Sequence, residues 1–345
     1  MFLSSKRLLS LIALLASLIV SPGALAADIE VLWLGHATAR ITTVEGKVIV
    51  IDPFLKKNPK TPEKYKDLSA LGKVDLILIT HGHFDHVADV SELAGMTGAK
   101  VVANAELVRQ MAALGKLDAD KIIAMNKSGT VMPVGDKVKV HMVPAEHSSS
   151  LVLDEHADGA PNLVTAGAPV GYVIEMENGF SIYHSGDTGV FGDMQLIGRM
   201  YEPDLAMICI GGHFTMDGSS AGFAMAELMK PKMILPIHYG TFGLLKGNPD
   251  QLKQALGSAD IKVLDIKPGE AVTFCGRAAS LTAPFCAGPS CCRDGFCCPC
   301  AVFSSRLSAG SAYVSCTFSS HLERGFSGAP GHRRGFSPAF ESAAP

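Results

Sequence analysis

Three histidines and an aspartate fall within six residues in Thr80-His81-Gly82-His83-Phe84-Asp85-His86, directly after the apolar, strand-like run Val74–Thr80. Such a segment packs poorly and binds metal well, because imidazole nitrogens and carboxylate oxygens suit a borderline divalent ion such as Zn²⁺. In an extended turn His81 and His83 project to one side, while Asp85 and His86 can turn toward a second position. One short loop can then serve two ions. Further donors recur at equivalent places: His147 follows the run Val138–Val143, Asp187 follows Phe180–His184, and His238 closes Met233–Ile237. A single histidine after a strand is usually structural or solvated. Several donors just past the C-terminal ends of strands are a stronger signal, since that edge is where open sheets gather ligands.

Other residues carry two readings. Asp52 can hold a ligand imidazole, yet Asp52-Pro53 also simply ends a strand. His213, after a buried run at the same edge, reads as pocket-lining. Tyr239 and Thr241 can donate to an oxyanion or merely face water. His184 alternates away from Asp187 and reads as structural. By the same alternation His141 is expected to face solvent, and Cys209 to be a core residue.

The elements that position these groups are legible as runs. Strands are expected over Ile29–Leu34, Ala39–Thr43, Lys47–Ile51, Val74–Thr80, Val101–Ala103, Val138–Val143, Val170–Glu175, Phe180–His184, Leu205–Ile210 and Met233–Ile237, from β-branched content and Gly/Asn/Asp borders. Helices are expected over Asn104–Leu114, Gly192–Met200, Ser219–Met229 and Pro249–Leu256, with Asn104, Ser219 or Ser220, and Pro249 as start signals. Hairpins first, then strands alternating with helices, imply an α/β chain of two mixed sheets covered outside by helices. The Pro/Gly-rich stretches Lys56–Ala70 and Asp154–Pro169 read as lids.

Composition separates this core from its ends. The 345 residues carry 30 basic and 33 acidic side chains, a net −3 that offers no basic field for nucleic acid. Residues 1–26 have a basic start at Lys6 and Arg7, an apolar run Leu8–Val20 too short to span a bilayer, and the small-residue site Ala24-Leu25-Ala26. They read as an export signal cleaved after Ala26, giving a periplasmic or secreted protein. Residues 275–345 hold eight of the nine cysteines and no Lys, Ile, Met, Asn or Gln. They lack paired Cys-x-x-Cys units at zinc-ribbon spacing and are expected to be an unstructured or adventitious extension rather than a metal or disulfide module. Residues 27–274 are left as one domain with 22 basic and 30 acidic residues, a net −8 that leaves room for bound cations.

The motif set resembles the metallo-β-lactamase superfamily and, within it, the lactonase-like zinc-dependent hydrolases. The likeness runs over about residues 27–274, through Leu34-Gly35-His36, Ile51-Asp52-Pro53-Phe54-Leu55, the His81–His86 segment, Glu146-His147-Ser148, Gly186-Asp187-Thr188, Phe214-Thr215-Met216, Pro236-Ile237-His238-Tyr239 and Lys267-Pro268-Gly269-Glu270. It implies a four-layer αβ/βα sandwich holding two Zn²⁺, with Mn²⁺ or Fe²⁺ as alternatives. The first ion would take His81, His83 and His147, the second Asp85, His86 and His238, with Asp187 bridging. It also implies that a water between the ions becomes the nucleophile and that Asp85 orients it and carries its proton. His36 is placed near the site mouth, as a partner of a ligand or as a structural residue. His213 stands where similar sequences carry a shorter amide or carboxylate. The expected substrate is a small-molecule ester or lactone, ahead of a phosphodiester and then a β-lactam. A non-catalytic metal-binding or interaction protein and a flavodiiron-type redox protein are the readings from other classes. Oligomeric state has no signal in the sequence.

Overall fold

A computed structural model describes residues 28–155 and 161–274. The expected export signal over 1–26 and the cysteine-rich stretch 275–345 lie outside the described residues. Two seven-stranded sheets carry the structure. The first runs, in space, β16 (Ala271–Phe274), β1 (Ile29–Gly35), β2 (Thr38–Thr42), β3 (Val48–Ile51), β4 (Leu76–Leu78), β5 (Lys100–Asn104) and β6 (Ile122–Met125). The second runs β15 (Lys262–Val263), β14 (Met233–Ile237), β13 (Leu205–Cys209), β12 (Ser181–His184), β11 (Val170–Glu175), β8 (Lys139–Pro144) and β7 (Thr130–Val131). Each sheet is antiparallel over one part, β16 to β3 or β7 to β12, and parallel over the other. Consequently β1, β3 and β4 of the first sheet end at one edge, as do β8, β12, β13 and β14 of the second.

The helices are α1 (Glu63–Lys66), α2 (Phe84–Val87), α3 (Val90–Thr97), α4 (Ala105–Ala113), α5 (Met194–Tyr201), α6 (Gly218–Phe223), which continues with a wider π pitch over Ala224–Met229, and α7 (Pro249–Leu256). Strand alternation divides the apolar side chains into three cores. Ile49, Ile51, Leu78 and Val102 face Val140, Tyr172, Ile182 and Leu235 between the sheets. Val50, Ile77 and Val101 turn outward onto Leu93, Leu107 and Met111 of α3 and α4. Val173, Tyr183, Ala206 and Ile234 turn outward onto Ile197, Ala221, Met225 and Leu252 of the later helices. Strands apolar on both faces are buried on both faces, and helix, sheet, sheet, helix is the resulting order.

Helix starts follow capping chemistry. Asn104 accepts from Leu107 N–H, and Asn248 forms a capping box with Gln251 ahead of Pro249. The third expected helix begins at Gly218 instead of Ser219, because the carboxylate of Asp217 accepts the Ser220 N–H at 2.7 Å. The expected lid over Asp154–Pro169 is in part a hairpin, β9 (Ser150–Glu155) with β10 (Pro161–Thr165), paired through Leu151 with Val164 and Val152 with Leu163. Lys56–Ala70 contains α1 and a 3-10 turn over Leu68–Leu71 whose two leucines are buried, so its second half is anchored. His141 does not face solvent: it is buried, hydrogen-bonded to Thr130 Oγ1 at 2.8 Å and against the Tyr201 ring. The outer face of its sheet is covered by α5, which period-two alternation alone cannot reveal. Cys209 is buried in β13. Among the described residues no helix is long and apolar enough to cross a membrane.

Candidate metal centre

The two sheets meet along the shared edge through backbone acceptors. His238 N–H donates to the His36 carbonyl at 2.9 Å, Tyr172 O–H to Ile79 at 2.7 Å, and His184 Nε2 to Ala37 at 2.9 Å. His184, fully buried, thus joins sheets instead of facing the donors. His36, Asp52 and His238 adopt left-handed backbone, with φ of 54°, 46° and 56°. For residues with a Cβ this costs about 1–3 kcal/mol each. Such strain gathers at functional sites, and here it turns three side chains inward at one place.

Three overlapping groups of donors result, each with its atoms within 4.8 Å of one another: His81, His83 and His147; His81, His86 and Asp187; and His36, Asp85, His86 and His238. Asp187 lies among them all. Its Oδ2 is 3.1 Å from His238 Nε2, 3.7 Å from His147 Nε2 and 4.0 Å from His81 Nε2, and its Oδ1 is 3.4 Å from His86 Nε2. Despite these approaches, His86 Nε2, Asp187 Oδ1 and both ring nitrogens of His238 are buried without a hydrogen bond. Buried polar atoms left in this way carry an energetic cost that a shared ligand would remove. Nitrogen and carboxylate donors converging on orphaned atoms fit divalent cations.

The surrounding bonds aim these donors. Asp52 Oδ2 lies 2.8 Å from His86 Nδ1, and the same carboxylate accepts Thr80 N–H at 2.8 Å and Thr80 Oγ1 at 2.7 Å. Having given its proton to Asp52, the Thr80 hydroxyl can only accept from His81 Nδ1, 3.0 Å away. The His81 proton then sits on Nδ1, and Nε2 presents its lone pair to the cluster. His36 lies between Thr241 Oγ1 and Asp85 Oδ2, each at 2.9 Å. Two glycines make room for these loops. A Cβ on Gly82 would lie 2.7 Å from Ala166 Cβ; one on Gly186, at φ +57°, would lie 2.8 Å from Thr80 Cβ.

Electrostatics follow from burial and crowding. Burial, then His238, pushes His36 down to about 4, so its ring is neutral at pH 7. Burial likewise holds His81, His83 and His147 below the usual histidine range, in the neutral form that ligates metal. Burial would also lower His86, but Asp187 and Asp52 outweigh it and raise it well above that range. Burial would raise Asp85 and Asp187, yet the neighbouring histidines hold both carboxyls low.

The structure brings His81, His83, Asp85, His86, His147, Asp187 and His238 together, with His36 and Asp52 bonded directly to members of the set. Tyr239 and His213 stand outside the three donor groups. Tyr239 stacks on Trp33 at 5.5 Å and lines a cavity of about 170 Å³ with His36, Lys60 and Lys267; burial raises its hydroxyl to about 12. His213 is exposed, in a surface depression with Gly189 and Val190. Thr80 and the glycines escaped the sequence reading. Thr80 reads there only as the last residue of a strand, although glycines interleaved with donors are a usable signal for close packing.

Comparison with known proteins adds an independent line. A family model described as the beta-lactamase superfamily domain matches residues 47–239. The chain is 51% identical over 247 residues to a UPF0173 metal-dependent hydrolase of Cupriavidus necator, covering 71% of this chain and 86% of that protein. It is 42% identical over 248 residues to one of Roseiflexus castenholzii, covering 71% and 98%. Among solved structures it resembles Igni18, a metallo hydrolase of Ignicoccus hospitalis, with 33% identity, a TM-score of 0.62, and 72% and 99% coverage.

Proposed function

This chain belongs to the beta-lactamase superfamily and, within it, to the UPF0173 metal-dependent hydrolases, and from that premise we propose that it uses two zinc ions to hydrolyse a small-molecule ester or lactone. The observation that carries the reading is the set of three overlapping donor groups around Asp187, with orphaned donor atoms between them. One ion would be held by His81, His83 and His147, the other by Asp85, His86 and His238, with Asp187 shared. Bound there, the ions supply Lewis acidity, which lowers the pKa of water and polarises the oxygen of a scissile bond.

The chain's own residues supply the rest. Asp52 fixes the ring of His86, and Thr80 fixes that of His81, so both Nε2 atoms are aimed before any ligand arrives. Asp85 is the proton carrier: ionised at pH 7, it has Oδ2 engaged by His36 Nε2, leaving Oδ1 to take a proton from attacking water and return it to the leaving alkoxide. Neutral His36, anchored by Thr241, holds that carboxylate without adding a second positive charge. Against burial, the influences that hold the two carboxyls ionised come from histidines, His36 and His86 for Asp85, and His238 and His86 for Asp187.

Metal analysis combined with ester, lactone, β-lactam and phosphodiester probes tests the reading. Two zincs per chain and turnover of an ester or lactone, both lost in His81→Ala and Asp187→Ala, are expected. Two irons, or two zincs without hydrolysis, would overturn it. The same reading places the hydrolase domain at 27–274, exported with cleavage near Ala26; exported protein whose N-terminal sequence begins at Met1 would refute the cleavage.

A further inference from the structure

The loops that carry the donors also hold large apolar side chains in water. Phe84, 59% exposed, stands between His83 and Asp85; Val190 follows Asp187, and Leu244 follows His238. Val152 and Leu163, both exposed, face each other across the hairpin that begins just after His147. Single exposed apolar residues are ordinary on a protein surface, but a set repeated along one edge marks a surface that meets a ligand.

One member of this set, Phe84, belongs to an assembled cluster of rings. The Phe84 ring lies 5.9 Å from that of Phe54 and 6.3 Å from that of Phe242, and Phe54 and Phe242 are 6.2 Å apart. Phe54 and Phe242 also meet the His36 ring edge-on, at 5.7 and 5.5 Å, and His36 holds Asp85. Phe54 is buried and braces the other two; Phe242 is half-buried and Phe84 open to solvent. The wall therefore begins at His36, which holds the group assigned to carry the proton, and extends outward to water. Nothing in its make-up suits a charged or strongly hydrated substituent, whereas a hydrocarbon chain or ring placed on it would release water from both surfaces.

We infer that the wall binds an alkyl or aryl group of several carbons next to the scissile bond, and that Phe84 and Phe242 set the specificity of the centre. The inference deepens the hydrolase reading and rests on it for the reaction, but its binding component can be measured separately. A docked partner chain or second copy is the competing occupant. An uncharged hydrocarbon substituent is favoured because the wall is continuous with the donor cluster through His36.

The test is calorimetric titration of the zinc-loaded protein with straight-chain hydroxamates, from acetohydroxamate to octanohydroxamate, which bind metal without being turned over. Affinity is expected to rise by about threefold per methylene while the chain lies on the wall. Phe84→Ala and Phe242→Ala should flatten that dependence, and Phe84→Leu should keep most of it. Met200→Ala, at an exposed position on α5, should leave it unchanged. Metal content and thermal melting of each variant separate loss of the wall from loss of the fold. Affinity independent of chain length, or a slope unaltered in Phe84→Ala, would overturn the inference, as would a concentration-dependent dimer abolished by that substitution. A protein that shows the slope and cleaves neither esters nor lactones would retain the wall and lose the proposed reaction. One that cleaves short esters with no slope would do the reverse.

Discussion

Asp52 gathers the Thr80 amide, the Thr80 hydroxyl and His86 Nδ1 onto one buried carboxylate, and the aim of two donor rings depends on it. Replacing it with asparagine keeps the shape and removes the charge that steadies the imidazole. Asp52→Asn is expected to weaken metal binding by about 10–100-fold with the fold retained, measured by competition with a chromogenic chelator. His36 gives a second expectation at this scale. In the unfolded chain its ring takes a proton near 6.5, but in the folded chain only near 4, because it is buried beside His238. The unfolded state therefore binds more protons between those values, so this contribution is full above about pH 6.5 and lost progressively as pH falls toward 4. His81, His83 and His147 act with the same sign, and His86 with the opposite sign. Metal-free protein should unfold at lower urea at pH 5 than at pH 7, with a shallower dependence in His36→Gln. The cluster was legible in the sequence because histidines and aspartates recur past the ends of several apolar runs, although each alone is a weak signal. The bond from His36 to Asp85 and the ring wall were not, since they depend on side chains brought together from distant strands.

At the scale of elements, the loops after β4 and β12 approach too closely for a side chain between them. Gly186 stands at that contact, at φ +57°, where an added Cβ would meet both Thr80 Cβ and the Val170 carbonyl at 2.8 Å. Gly186→Ala is expected to cost about 1–3 kcal/mol in urea unfolding and to lower metal content, because Thr80 must shift and His81 with it. The ten expected strands all fall on observed ones, since nearly all are apolar through most of their length and the remainder is rich in β-branched residues. What was missed is instructive in kind. β6, β15 and β16 are short outer strands with partly exposed residues, and α3 contains a glycine within Val90–Thr97. Their order comes from the neighbours they pack on, a tertiary cause that leaves little periodic signal.

For the whole molecule, the first sheet closes with β16, which pairs Phe274 with Ile29 and Ala271 with Leu32. A chain ended after Phe274 is expected to melt within about 2 °C of the full chain and to bind the same metal complement; one ended after Lys267 should melt lower, because β1 loses its outer neighbour. Removing metal from either should lower melting further, by the linkage between ligand occupancy and folding, with the shift reversed on adding zinc. The division of donors between sheets has one more consequence. His81, His83, Asp85 and His86 follow a strand of the first sheet, whereas His147, Asp187 and His238 follow strands of the second. A chain emerging from a ribosome offers only an incomplete set until β14 has been delivered and paired. The full donor set is therefore among the last features of the fold to be completed, so any ion that needs both sheets' donors has to wait for closure.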